Sequence, residues 1–280
     1  MNAYRKIEQM IQGKYTVDGA GVRLRRIFGY HEVPLFDPFL LLDEFKSTDP
    51  KDYTAGFPWH PHRGIETVTY MIGGSVQHGD SLGNKGSIGA GDCQWMTAGS
   101  GIIHMEMPQE SPVMWGYQLW VNLSAEEKMT KPKYRDIRAE SIPTSNIEGG
   151  SVRVLCGTYN GVKGPLEGIT VEPVFLDITL GLKQEFAYET ERDRTLFAYI
   201  VDGEGSMEKD NTDTVRTGSA VLFTEGEKAI IRSGRKGLRM LLVSGRPLRE
   251  SVAWGGPIVM NTQEELDEAF KEYRNGTFLR

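Results

Sequence analysis

Residues 60–108 read HPHRGIETVTYMIGGSVQHGDSLGNKGSIGAGDCQWMTAGSGIIHMEMP. The stretch carries four of the chain's five histidines, and Gly punctuates short β-like segments: ETVTYMIGG (66–74), SVQHGD (75–80) and GDCQWMTAG (91–99). Alternation of apolar and polar residues marks strands with one buried face. Residues two apart on a strand point the same way, so His60 can project with His62, and His104 with Glu106. If neighbouring strands bring the pairs together, three imidazoles and a carboxylate converge. That mixed N/O set suits a divalent first-row metal and leaves coordination positions open. Glu66, four residues after His62, competes with Glu106 as the carboxylate. Either pair alone is common in ordinary strands; together, inside repeated β-segments, they form the chain's main site.

Outward from this stretch the pattern continues. LRRIF (24–28) and GYQLWVNL (116–123) precede and follow it. VRVLCG (152–157), ITVEPVFLDITL (169–180), LFAYIVDG (196–203), SAVLF (219–223), AIIRS (229–233) and LRMLLVSG (238–245) fill the second half. Many short strands between Gly turns predict a sandwich or barrel. Thr262 and Glu265 form a capping box opening a C-terminal helix whose Leu266, Ala269, Phe270 and Tyr273 make one apolar stripe, stopped by Gly276. Ser124–Glu127 reads as a shorter helix start.

The two halves echo each other. Tyr70-Met-Ile-Gly-Gly matches Tyr199-Ile-Val-Asp-Gly, and Gly91, Thr97 and Gly99 match Gly218, Thr224 and Gly226. Two anchors in the same order predict duplication of one barrel. In those registers His104 and Glu106 fall opposite Ile231 and Ser233, and His60 and His62 opposite Glu189 and Glu191. The second barrel therefore keeps the scaffold without the ligands. The expected organisation is a metal-binding domain 1–128, a linker 129–146 with Pro132 and Pro143, and a ligand-free domain 147–280 that includes the helix.

Composition narrows the function. With 32 basic and 38 acidic residues, a net charge of −6 and no basic block, direct nucleic-acid binding is disfavoured. No apolar run reaches the ~20 residues of a membrane span, and the N-terminus lacks a signal-peptide core. Two cysteines, Cys93 and Cys156, provide no disulfide framework and no closed zinc-finger set, so a cytoplasmic protein is expected. Gly83–Gly91 lacks the ending of a phosphate loop. His78 reads as a surface or hydrogen-bonded histidine, His31 as part of a turn and Cys93 as core. Trp115, Tyr117 and Trp120 read mostly as core, with one or two available to line a pocket for a flat substrate.

The motifs also carry a resemblance. HxHxxxE followed by Gly73 resembles the first cupin motif, and Gly91 with His104 the second. HPHRG…QWMTAG…IHMEM, with DPFLLLDEF (37–45), YQLWVNL (117–123) and GPIVMNTQEELDEAFKEYRNGTF (256–278), resembles the pirin family over nearly the whole chain. That resemblance implies an all-β bicupin, two stacked antiparallel barrels with a short C-terminal helix, and a single metal, usually iron(II), in the N-terminal barrel. It places the metal on His60, His62, His104 and Glu106, deciding against Glu66. The donor set alone would equally take Mn, Co, Ni, Cu or Zn. Trp59 stands where the family often has Asp, next to the site.

Two functions follow from the resemblance. One is a quercetin 2,3-dioxygenase, taking a small aromatic flavonol and O₂ to a depside and carbon monoxide, with Glu106 as the catalytic base for the 3-hydroxyl proton. The other is an iron-binding regulatory protein that binds a transcription factor or a metabolic enzyme without turnover. Two stacked barrels are complete in one chain, so a monomer is expected.

Overall fold

The computed structural model describes residues 3–211 and 213–279, and these form two compact units. Lys14–Ala139 makes the first unit together with the C-terminal segment from Leu248. Glu140–Pro247 makes the second together with the N-terminal segment that ends at Gly13. Both are antiparallel β-structures, and the chain's one described α-helix is Gln263–Asn275.

In the first unit a seven-stranded sheet runs in the order 133–137, 93–97, 65–73, 114–122, 39–47, 22–28, 14–18. A four-stranded sheet, in the order 57–62, 102–109, 75–80, 85–89, and a two-stranded pair, Ala253–Gly255 with Ile258–Met260, complete it. The second unit has one sheet of nine strands and a two-stranded hairpin, Thr158–Tyr159 with Val162–Lys163. Its 18-residue strand Lys228–Gly245 merges the segments expected at 229–233 and 238–245. The first half of this strand pairs with Glu185–Glu189 and the second with Val174–Leu180, while Thr195–Ser206 pairs along it from Arg232 to Gly245.

The observed units differ from the expected division at both chain ends. Strand Ile7–Gln12 lies antiparallel to Ser219–Phe223 in the second unit, covering a sheet edge whose backbone groups would otherwise be unpaired. The helix belongs to the first unit, where Leu266 and Ala269 pack with Ile258, Met260 and Phe278. The segment 129–146 is also more than a tether. Lys133–Ile137 pairs with Cys93–Thr97, and Thr144–Ile147 with the strand Gly150–Cys156.

The helix caps are those expected. Thr262 accepts from the Glu265 amide, the Glu265 carboxylate accepts from the Thr262 amide, and Gly276 adopts φ 72°. Ser124–Glu127 forms a turn closed by Glu127 and Lys128 amides on the Ser124 carbonyl, without continuing as a helix. The second unit holds one continuous apolar core, built from Val154, Leu176, Phe186, Ile231 and Leu242 among others. The first unit's interior is split by polar side chains, and that difference positions the site.

Candidate metal centre

Strand Ile102–Gln109 alternates buried and half-buried residues along its whole length, turning His104 and Glu106 inward. His60 stands directly opposite His104 across the neighbouring strand Phe57–His62. The ring centroids of His60, His62 and His104 lie 4.4 to 5.0 Å apart. One ring nitrogen from each falls within 4.8 Å of the others. The three histidines thus meet as the strand parity requires.

Hydrogen bonds fix how the rings face. His60 Nδ1 is 2.8 Å from the Pro58 carbonyl oxygen, and His62 Nδ1 is 2.9 Å from that of Pro257. A ring nitrogen that meets a carbonyl must carry the proton, so Nε2 of each ring presents its lone pair. Those two Nε2 atoms are 3.1 Å apart. Two lone pairs at that separation repel, and a cation between them removes the repulsion. His104 is 1% exposed, and neither of its ring nitrogens has a hydrogen-bond partner. A buried polar group in that condition costs stability unless something binds it. Burial, followed by the neighbouring His60, lowers the His62 pKa to about 3; burial and the other histidines push His104 well below its ordinary value. Both rings are neutral at physiological pH, as metal ligation requires. These donors therefore fit a divalent transition metal.

Glu106 is buried next to this group, and its Oε1 accepts a 3.1 Å bond from the Thr69 hydroxyl. Burial raises its pKa, opposed by His60 and by Thr69. Glu66 is not brought to the histidines. The chain turns at Gly64, φ 76°, so that strand Ile65–Gly73 enters the other sheet and parity with His62 is lost. A Cβ on Gly64 would sit 1.9 Å from the Val259 carbonyl oxygen, so the turn needs glycine. Glu66 instead accepts from Thr97 Oγ1 at 2.6 Å.

A cavity of about 820 Å³ opens onto His60, His62 and Glu106 and is walled by Trp59, Trp120 and Trp254. Trp120 meets His62 edge-on at 5.1 Å, and Trp254 lies 5.7 Å from Trp120. Of the three aromatics singled out in 115–120, only Trp120 lines the cavity. Trp115 donates to Glu44, and Tyr117 is core. Trp59 is 53% exposed at the cavity rim.

His78 is not a surface residue. It faces inward opposite Glu106, 3% exposed, with Nε2 3.1 Å from Asp136 Oδ2. His31 is exposed in the 3₁₀ turn Tyr30–Glu32, and Cys93 is buried. Sequence reasoning missed Thr69, Gln118, Trp254 and Pro257, because their roles depend on cross-strand register and on the C-terminal segment folding back. Arg63 anchors that return. It donates to Ser100 O at 2.7 Å, Glu272 Oε2 at 2.6 Å and Phe278 O at 2.8 Å, and is 2% exposed.

Comparison with known proteins gives the family. The family model "Pirin" matches residues 21–121, and "Pirin C-terminal cupin domain" matches 175–279. The chain belongs to the pirin family. It is 42% identical to a pirin-like protein of Caulobacter vibrioides over 277 residues, covering 98% of this chain and 99% of that one. It is 37% identical to pirin of Rattus norvegicus over 278 residues, covering 98% and 94%. A crystal structure described as quercetin 2,3-dioxygenase from Acinetobacter baumannii superposes with a TM-score of 0.90 at 31% identity, covering 99% of both chains. The all-β bicupin architecture is thereby that of the family. Among the described residues, no helix is long and apolar enough to cross a membrane.

Proposed function

We propose that this pirin is a flavonol 2,3-dioxygenase that opens quercetin or a close relative with O₂, using a metal held by His60, His62, His104 and Glu106. The observation that carries the reading is His104: a buried imidazole with no partner on either nitrogen, beside two others whose lone pairs face each other. The likeness to a dioxygenase structure over nearly the full chain supports it. Both oxygen atoms of O₂ enter the depside product, and the ring carbon that bore the 3-hydroxyl leaves as carbon monoxide.

The chain's own residues divide the work. The Pro58 and Pro257 carbonyls hold the His60 and His62 rings in one tautomer and orientation. Trp120 and Trp254 offer flat faces to a planar ligand and displace water from it. Glu106, raised in pKa by burial, takes the 3-hydroxyl proton of the bound flavonol onto its carboxylate. When bound, a divalent transition metal supplies Lewis-acid polarisation and a template for substrate and O₂. Iron(II) is the ion this reading takes, in a cytoplasmic monomer; a chain with two cysteines, Cys93 and Cys156, both buried, agrees with a reducing compartment.

The test combines elemental analysis with quercetin absorbance and O₂ uptake on one sample. About one metal per chain with steady turnover, both lost in His60→Ala, is the expected result. One metal without turnover replaces this reading with the regulatory one, in which the iron site tunes a protein-binding surface. No metal after reconstitution removes both.

A further inference from the structure

The Thr69 hydroxyl lies 3.1 Å from Glu106 Oε1 and 2.6 Å from the Gln118 side-chain oxygen as placed. A hydroxyl has one proton and donates once, so both contacts cannot be donations from Thr69. The network is satisfied when the Gln118 amide is turned, its Nε2 donating to Thr69 and Thr69 donating to Glu106. Gln118 and Thr69 are in direct cross-strand register on the seven-stranded sheet, and Glu106 is on the four-stranded one. The chain of bonds therefore crosses the barrel interior, each bond polarising the next. Thr69 is 3% exposed, so this is a fixed contact rather than a solvated one. The three histidines form a ligand group by themselves, and the Glu106 carboxylate is not within it.

We propose that Thr69, backed by Gln118, is a positioning residue that competes with the metal for Glu106 and holds the carboxylate where it can take the substrate's proton. The inference rests on the dioxygenase reading and adds to it the device by which one carboxylate serves as ligand and as base. Removing the hydroxyl gives Glu106 back to the metal. Metal binding then tightens while turnover falls. A purely structural role for Thr69 would weaken both.

The experiment is titration of the full-length protein with Co²⁺, followed by its visible absorption, with quercetin turnover measured in parallel. Thr69→Val is expected to bind Co²⁺ about ten-fold tighter, the value of a hydrogen bond to a carboxylate, and to turn over about ten-fold more slowly. Its d–d bands should weaken as the coordination number rises. Thr69→Ser keeps the hydroxyl and should match the wild type in both readouts. Gln118→Met, which leaves Thr69 in place, should move both in the Thr69→Val direction by a smaller factor and serves if Thr69→Val does not fold. Unchanged or weaker Co²⁺ binding in Thr69→Val and Gln118→Met, with an unchanged spectrum, overturns the inference and leaves the metal site standing. Failure of the wild type itself to take Co²⁺ overturns the site and the inference with it.

Discussion

Across the first barrel, one row of cross-strand partners reads Arg26, Asp43, Gln118, Thr69, Gln94. The matching row of the second barrel, placed by the Tyr70–Tyr199 echo, reads Val154, Leu176, Leu242, Ala198, Val221. The strand pairings are the same and the chemistry is opposite. In the first row Arg26 donates to both carboxylate oxygens of Asp43, at 3.0 and 2.8 Å, and Thr69 reaches Glu106. In the second, all five side chains lie in one apolar core. The site itself follows suit. Where His104 faces His60 in one barrel, Ile231 faces Phe186 in the other. A β-barrel held by backbone pairing thus accepts either interior, and function depends on which residues fill it. The apolar interior is the stable default. The polar one carries His104, with two unpartnered ring nitrogens, one of which a bound cation would satisfy.

The comparison breaks most directly at its centre. His104→Ala should abolish stoichiometric metal and lower quercetin turnover by more than about a hundred-fold, beyond the loss caused by an outer hydrogen-bond partner. The matched change Ile231→Ala should leave metal content and KM alone and cost about 2–5 kcal/mol in urea unfolding, because it opens a hole in a packed core. If Ile231→Ala also lost the metal, the two barrels would not be separable in this way.

The reverse graft sharpens it. Ile231→His with Phe186→His restores imidazoles at the paired positions but places them among Val152, Leu176 and Met240 without polar support. Each buried, unpaired ring costs on the order of 1–3 kcal/mol. Elemental analysis should still find one metal per chain, and a second equivalent would show that two histidines suffice on this scaffold.

How far these differences could be read in advance depends on their range. His60, His62 and His104 were legible because strand parity is a two-residue rule, and the structure joins the three imidazoles as that rule demands, whereas parity left the carboxylate open between Glu66 and Glu106. The family resemblance decided against Glu66, but the physical reason was not legible: one glycine turn at Gly64 resets the parity. The echo sets Glu189 opposite Ile231, but the structure pairs Ile231 with Phe186, three residues away. Loops between the matched anchors differ in length, and register does not survive them. Trp254 and Pro257 reach the site only because the chain end folds back into the first unit, which no local pattern encodes. His78 read as a surface residue because a lone imidazole between Gln77 and Gly79 gives no sign of the strand facing it.

A smaller effect is expected on the cavity wall, for which the second barrel has no counterpart. Trp254 contacts both Trp120 and Tyr30 at 5.7 Å between ring centroids. Trp254→Ala removes one stacking face, worth about 0.5–1.5 kcal/mol. KM for quercetin should rise roughly two- to ten-fold with kcat nearly constant, the pattern of a lost uniform binding contact. A fall in kcat alone would instead place Trp254 in the chemical step.

A last effect, away from metal and substrate, tests the cost of a polar interior by itself. Lys128 is 2% exposed in the first unit, with Nζ bonded to Gly64 O at 2.9 Å and Asn122 Oδ1 at 2.5 Å. Burial lowers its pKa to about 7, only partly opposed by Glu250 and Glu265. An unfolded lysine titrates near 10.4. Between those values the unfolded chain binds a proton that the folded chain does not, so stability rises with pH across that window. Below about pH 7 both states are protonated and the cost of burying the charge is felt in full. Lys128→Met removes the titration. The difference in unfolding free energy between wild type and variant should move in favour of the wild type as pH is raised from 7 to 9, by up to about 1.4 kcal/mol per pH unit. Parallel curves would mean that Lys128 stays charged in the fold, its two oxygen partners compensating the loss of water.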